Sequence, residues 1–194
     1  MKKPARHAFL IAAVACTVGA APAAWSQQPR AGASDAAGPS ARVPAMPRSD
    51  ANFMKQAAEN GHAEVEASQV ALQKATDPEV KKFAQQMIDD HTKVHEELKA
   101  LAAAKGVELP TGPSLVQKGK MKILGTTDGA RFDRHYIGSM GVDAHEDTLK
   151  LFRKAAQDAR DPEVKAFASK TVPALEHHLQ MAKQLDASVK NAGK

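Results

Sequence analysis

From about position 50 onward, apolar residues recur at steps of three and four, the spacing that lines one face of an α-helix. One stripe runs through Met54, Ala57, Gly61, Ser68, Ala71 and Ala75, and a second through Val80, Ala84, Met87, Val94, Leu98 and Leu101. A third takes Ile137, Gly141, Leu149, Phe152 and Ala156, and a fourth Val164, Ala168, Thr171, Leu175, Ala182 and Leu185. The boundaries are set by a repeat. The segment from Ala75 to Ala84 recurs 84 residues later, from Ala159 to Ala168, with eight of ten positions identical. Each copy is a helix start. Asp77 and Asp161 cap, Pro78 and Pro162 take the first helical position, where no N–H is missed, and Glu79 and Glu163 face the positive end of the dipole.

Helices are therefore predicted over about 50–75, 78–105, 129–159 and 162–189, with a tight turn inside each pair. Lys105-Gly106 ends the second helix and Pro110 prevents its resumption. The link over 106–128 is too long for bare loop, so a short helix is expected over 113–124 before Asp128 caps the third long one. Two antiparallel hairpins joined by a long crossover make an all-α, ferritin-like four-helix bundle.

Each stripe is interrupted once, near its helix midpoint, by a polar residue that can bind metal: Glu64, His91, His145 and His178. Four such residues at one height predict a buried polar layer. Two readings follow. Glu and His satisfy one another in a metal-free network that fixes helix register, or the layer holds one transition metal ion (Zn, Fe, Cu or Mn) in an N₃O site. Asp90, beside His91, is placed to orient an imidazole from behind, to add a ligand, or to lie in solvent. The remaining histidines carry weaker signals. His91 and His95, four apart on one helix face, have a spacing that can chelate zinc or that leaves His95 at the rim, and His62, His135 and His177 are expected at the surface. Gly61 and Gly141, in mid-helix, are placed to permit close helix contact near the layer.

These residues resemble a known family. The Asp77-Pro78-Glu79-Val80-Lys81 start with Phe83-Ala84, Met87-x-x-Asp90-His91, Leu109-Pro110, Phe132-Asp133-x-x-Tyr136, His145 ahead of Phe152, and Pro173-x-Leu175-x-x-His178-Leu179 are similar to the exported bundles grouped as domain of unknown function 4142. The resemblance covers about 50–189 and implies the ferritin-like superfamily; members are often labelled outer-membrane proteins. It implies no activity. Ferritin-like di-iron proteins place a Glu three residues before each of two His ligands. Here Ile88 and Leu175 hold those positions, so the carboxylates that would bridge two irons are absent.

Composition adds an address. Lys2, Lys3 and Arg6 precede an apolar run from Ala8 to Ala21, and Ala24 and Ser26 are the small residues a signal peptidase reads. A signal peptide over 1–26 is expected, with cleavage after Ser26 or, second, after Ala23, and the mature protein in the periplasm. The competing reading lipidates Cys16. That cysteine is the only one in the chain, so a mature domain without it has neither disulfides nor thiolate chemistry. Residues 27–48, rich in Ala, Pro, Gly and Ser, are expected to be a disordered tether before a bundle over 49–190.

Of 27 basic and 22 acidic residues, six basic and one acidic precede position 49, which leaves the bundle neutral with 21 of each. No basic stripe for nucleic acid is present, and no ~20-residue apolar run or alternating strand pattern predicts insertion into a membrane. Three roles remain for an exported bundle of unknown activity: an interaction, envelope or stress-related role with an envelope protein partner; metal binding for sequestration or stress defence; and a metalloenzyme.

Overall fold

A computed structural model describes residues 46–191. The expected signal peptide, its cleavage sites, Cys16 and the tether up to position 45 lie outside the described residues. The chain forms α1 (Arg48–Lys74), α2 (Pro78–Ala104), α3 (Leu115–Leu124), α4 (Gly129–Tyr136), α5 (Ala144–Asp158) and α6 (Pro162–Asn191), with a π-helical segment, Ile137–Asp143, joining α4 to α5. No strand occurs among the described residues. The first helix begins at Arg48, the last position of the expected tether, and Met46 just before it already packs against the core.

Both repeated segments start helices as their chemistry requires. Asp77 Oδ1 accepts from Glu79 N at 2.8 Å; Asp161 Oδ1 accepts from Glu163 N at 2.9 Å and Val164 N at 3.1 Å. In the crossover, Ser114 and Gln117 form a reciprocal capping box that starts α3.

Two buried aspartates tie the hairpins together. Asp133, in the second turn of α4, accepts from Thr76 N at 3.0 Å, Thr76 Oγ1 at 2.7 Å and Asp77 N at 3.0 Å, all in the α1–α2 turn. Asp50, at the start of α1, accepts from Arg160 N at 2.9 Å and Asp161 N at 2.8 Å in the α5–α6 turn. The start of each hairpin thus grips the turn of the other. This fixes direction: α1 runs antiparallel to α4–α5, so α2 and α4–α5 run the same way. The crossover must therefore travel the length of a 27-residue helix, roughly 40 Å.

The π segment has a numerical trace. Asp50 precedes its cap Asp77 by 27 residues, whereas Asp133 precedes Asp161 by 28. The second hairpin carries one extra residue, and the widened turn absorbs it. Gly141 lies in this segment, where a Cβ would stand 3.1 Å from the Ala182 methyl, a tight contact that glycine relieves as α6 packs close. Gly61 differs: a Cβ there would meet only His95 Nδ1, at an ordinary 3.9 Å.

The apolar core is in two parts. One gathers Ala67, Phe83, Met87, Phe132, Tyr136 and Ile137; the other gathers Phe53, Met54, Leu98, Phe152, Phe167 and Leu175. The interrupted stripe positions fall between them.

Candidate metal centre

Glu64 from α1, His91 from α2, His145 from α5 and His178 from α6 are 4%, 8%, 1% and 4% exposed and line one cavity of about 40 Å³, with Asp90 at its side. The packing period thus brings all four to one layer. The three imidazoles form a near-equilateral triangle, with ring centroids 5.5 Å (His91–His145), 5.4 Å (His91–His178) and 5.6 Å (His145–His178) apart. One nitrogen from each lies within 4.8 Å of the other two.

Hydrogen bonds behind the rings decide which nitrogens face inward. His145 Nδ1 lies 3.0 Å from the carbonyl of Met140, in the π segment. A carbonyl only accepts, so Nδ1 carries the proton and Nε2 presents a lone pair. That Nε2 is 3.4 Å from His91 Nε2. His178 Nε2 donates to Asp90 Oδ2 at 3.1 Å, which leaves Nδ1 as its lone pair; this atom is buried and has no hydrogen-bond partner in the protein.

Glu64 stands apart from the triangle. Its Oε1 lies 3.9 Å from His145 Nδ1, the nitrogen already committed to Met140, and is likewise buried without a hydrogen-bond partner. Burial pushes the Glu64 carboxyl up to about 8, so it is protonated at neutral pH. Burial pushes the imidazoles the other way. His145 is held down at about 4; His91 falls well below its ordinary value, with His145 and His178 adding to the effect; His178 is lowered in spite of Asp90. Three neutral imidazoles therefore share the cavity at neutral pH.

These shifts predict opposite pH limbs for the metal-free protein. The histidines bind protons less readily folded than unfolded, so their contribution is intact above about pH 6.5 and is lost as pH falls toward about 4. Glu64 binds its proton more readily folded, so its contribution is intact below about 4.5 and is lost as pH rises through about 8. Glu64→Gln removes the alkaline limb. In urea unfolding with chelator, this variant is expected to be more stable than wild type at pH 9 and to lose that advantage at pH 5. Parallel curves for the two proteins would refute the buried neutral carboxyl.

A second histidine pair lay off the stripes and was not expected. His62 and His95, both half-buried, pack with ring centroids 4.4 Å apart, and His95 lines the same cavity. No periodic signal marks this contact; only the one-turn spacing of His91 and His95 points toward it. His177 is exposed and His135 half-buried.

Among solved structures, a DUF305 fragment from Deinococcus radiodurans is similar over 75% of this chain and 99% of its own, at 13% identity and TM-score 0.66. A DUF305 protein from Streptomyces coelicolor is similar over 73% and 92%, at 18% identity and TM-score 0.63. CopM in its Cu(II)-bound form is similar over 72% and 96%, at 20% identity and TM-score 0.61. At these identities the likeness is one of fold, and it confirms the helical bundle expected from the stripes. No curated protein matches the chain. The family model described as "Domain of unknown function (DUF4142)" matches residues 35–185, so the chain belongs to that family.

Proposed function

We propose that this protein binds one transition metal ion in the mid-bundle cavity, through His91, His145 and His178, as a sequestering or stress-defence protein of the cell envelope. The observation that carries this reading is the convergence of three buried, neutral imidazole nitrogens, two of them 3.4 Å apart. At a metal–nitrogen bond of about 2.0–2.1 Å, a tetrahedral ion separates its ligands by about 3.4 Å and a trigonal one by about 3.5 Å. Octahedral cis ligands at the same bond length would stand only about 2.9 Å apart. The His91–His145 pair matches the low-coordinate spacing, and an all-imidazole donor set suits zinc and copper better than oxygen-preferring manganese.

A purely structural layer accounts for less. The imidazole and Asp90 hydrogen bonds still leave Glu64 Oε1 and His178 Nδ1 without partners, and buried polar atoms are seldom left so. An ion would use the His178 lone pair, and Glu64 supplies a carboxyl in the same cavity that can ionise to balance its charge. Asp90 and the Met140 carbonyl hold the ligand rings from behind, the arrangement that fixes tautomers around bound metals. The cavity takes an ion with a water but no organic substrate, which favours holding metal over transforming a bound molecule. CopM, solved in Cu(I)- and Cu(II)-bound forms, shares the fold; the choice of zinc or copper for this chain rests on the donor set. Export rests on the N-terminal signal pattern.

Elemental analysis of untagged protein, purified and then exposed to equimolar zinc or Cu(I) before desalting, tests the proposal. About one ion per chain is expected. Absence of both metals from folded protein would refute it.

A further inference from the structure

The crossover helix α3 (Leu115–Leu124) rests on the bundle along one side. Leu124 is buried and Gln117 and Met121 are half-buried, and Gln117 Nε2 donates to Asn60 Oδ1 of α1 at 2.7 Å. The opposite side is open. Leu115, Val116 and Ile123 are 87%, 72% and 62% exposed, the large apolar side chains left in solvent among the described residues. At roughly 100° per residue, Val116 and Ile123 fall on one line of the helix with Leu115 beside them. Lys118 and Lys122 border this strip on one edge and Lys120 on the other. All three are exposed, and the helix contains no acidic residue.

Elsewhere the surface balances its charges: Lys170 meets Glu97, Lys183 meets Glu146 and Lys154 meets Asp158. On α3 the only charge is positive, and it frames exposed apolar side chains. A strip of this kind marks an interaction surface, and its pattern selects the partner. A second copy meeting this face symmetrically would set lysines against lysines. A bilayer bearing anionic headgroups answers both features. Apolar tips enter the acyl boundary while lysine stems reach outward to phosphate.

We infer that α3 is a membrane-surface contact, by which the bundle docks reversibly on anionic phospholipid. No described helix is long and apolar enough to cross a membrane, so the contact is peripheral. The helix is already formed, capped by Ser114 and fastened by Gln117, so docking does not have to order it. Ten residues give a weak, salt-sensitive attachment.

Co-sedimentation of the purified protein with vesicles tests this. Binding is expected to vesicles of phosphatidylglycerol with phosphatidylethanolamine and to be far weaker with phosphatidylcholine alone. It should decline as salt shortens the screening length. Lys118→Gln/Lys120→Gln/Lys122→Gln, which touches only exposed side chains, should reduce partitioning by about fivefold per lysine, on the order of 100-fold in all. Leu115→Ser/Val116→Ser/Ile123→Ser should abolish binding while the melting temperature is kept. Failure of wild type to bind the anionic vesicles, or equal binding by both variants, would overturn the inference. A solution dimer that Ile123→Asp dissolves would do the same, because it assigns the face to a second copy.

Discussion

Added zinc or Cu(I) is expected to raise the melting temperature of the metal-free protein by roughly 5–10 °C when free metal exceeds Kd about a hundredfold. The stabilisation at that ratio is about 2.7 kcal/mol, spread over the unfolding entropy of a bundle near 150 residues. His91→Ala and His178→Ala should each abolish the shift, since each removes one of three nitrogens that meet at the cavity. Asp90→Ala should weaken binding by about 10–100-fold without abolishing it, because it frees the His178 ring rather than deleting it. If the layer is only structural, the histidine variants instead lose about 1–3 kcal/mol without metal, and added metal leaves wild type unchanged. A wild-type protein whose melting curve ignores both ions would end the metal-binding reading.

Much of this layer was visible in the stripes because three helices keep α-helical phase throughout. In α1, α2 and α6 the steps alternate three and four, so Glu64, His91 and His178 fall where the period demands a core residue. The third long helix is different. Ile137, Gly141, His145 and Leu149 follow one another by four, and each such step overshoots a regular turn by about 40°. A regular α-helix would have rotated this set around its axis. The π segment widens the turn and returns the residues to one face, and its Met140 carbonyl holds the His145 ring. Three consecutive steps of four, with Gly141 among them, are the trace it leaves in the sequence. Which nitrogen faces which partner could not be read, because ring orientation depends on contacts between helices remote in sequence. The reciprocal aspartates were hidden differently. Asp50-x-x-Phe53 and Asp133-x-x-Tyr136 repeat with an offset of 83, one short of the 84 that relates the caps, so the alignment that reveals the caps misaligns the aspartates.

Asp133→Ala is expected to lower stability by about 3–5 kcal/mol, a loss that urea unfolding followed by circular dichroism would measure. Asp133 is 2% exposed and receives three donors from the α1–α2 turn: Thr76 N, Thr76 Oγ1 and Asp77 N. The two backbone donors lie where α2 begins, so the carboxylate also faces the positive end of that helix. Alanine would strand these donors beneath α4. Asp133→Asn keeps the shape and one accepting oxygen and should lose only about half as much, which separates charge from packing. Asp50→Ala should also destabilise, but less, because the hydroxyl donor to Asp50 is its own neighbour Ser49, whereas all three donors to Asp133 come from the opposite turn. The two aspartates grip opposite ends of the hairpin–hairpin contact and share no partner, so their losses should add to within about 0.5 kcal/mol. A loss below about 1 kcal/mol for Asp133→Ala would mean that the turn satisfies its own donors, and the reciprocal grip would then not be what joins the hairpins.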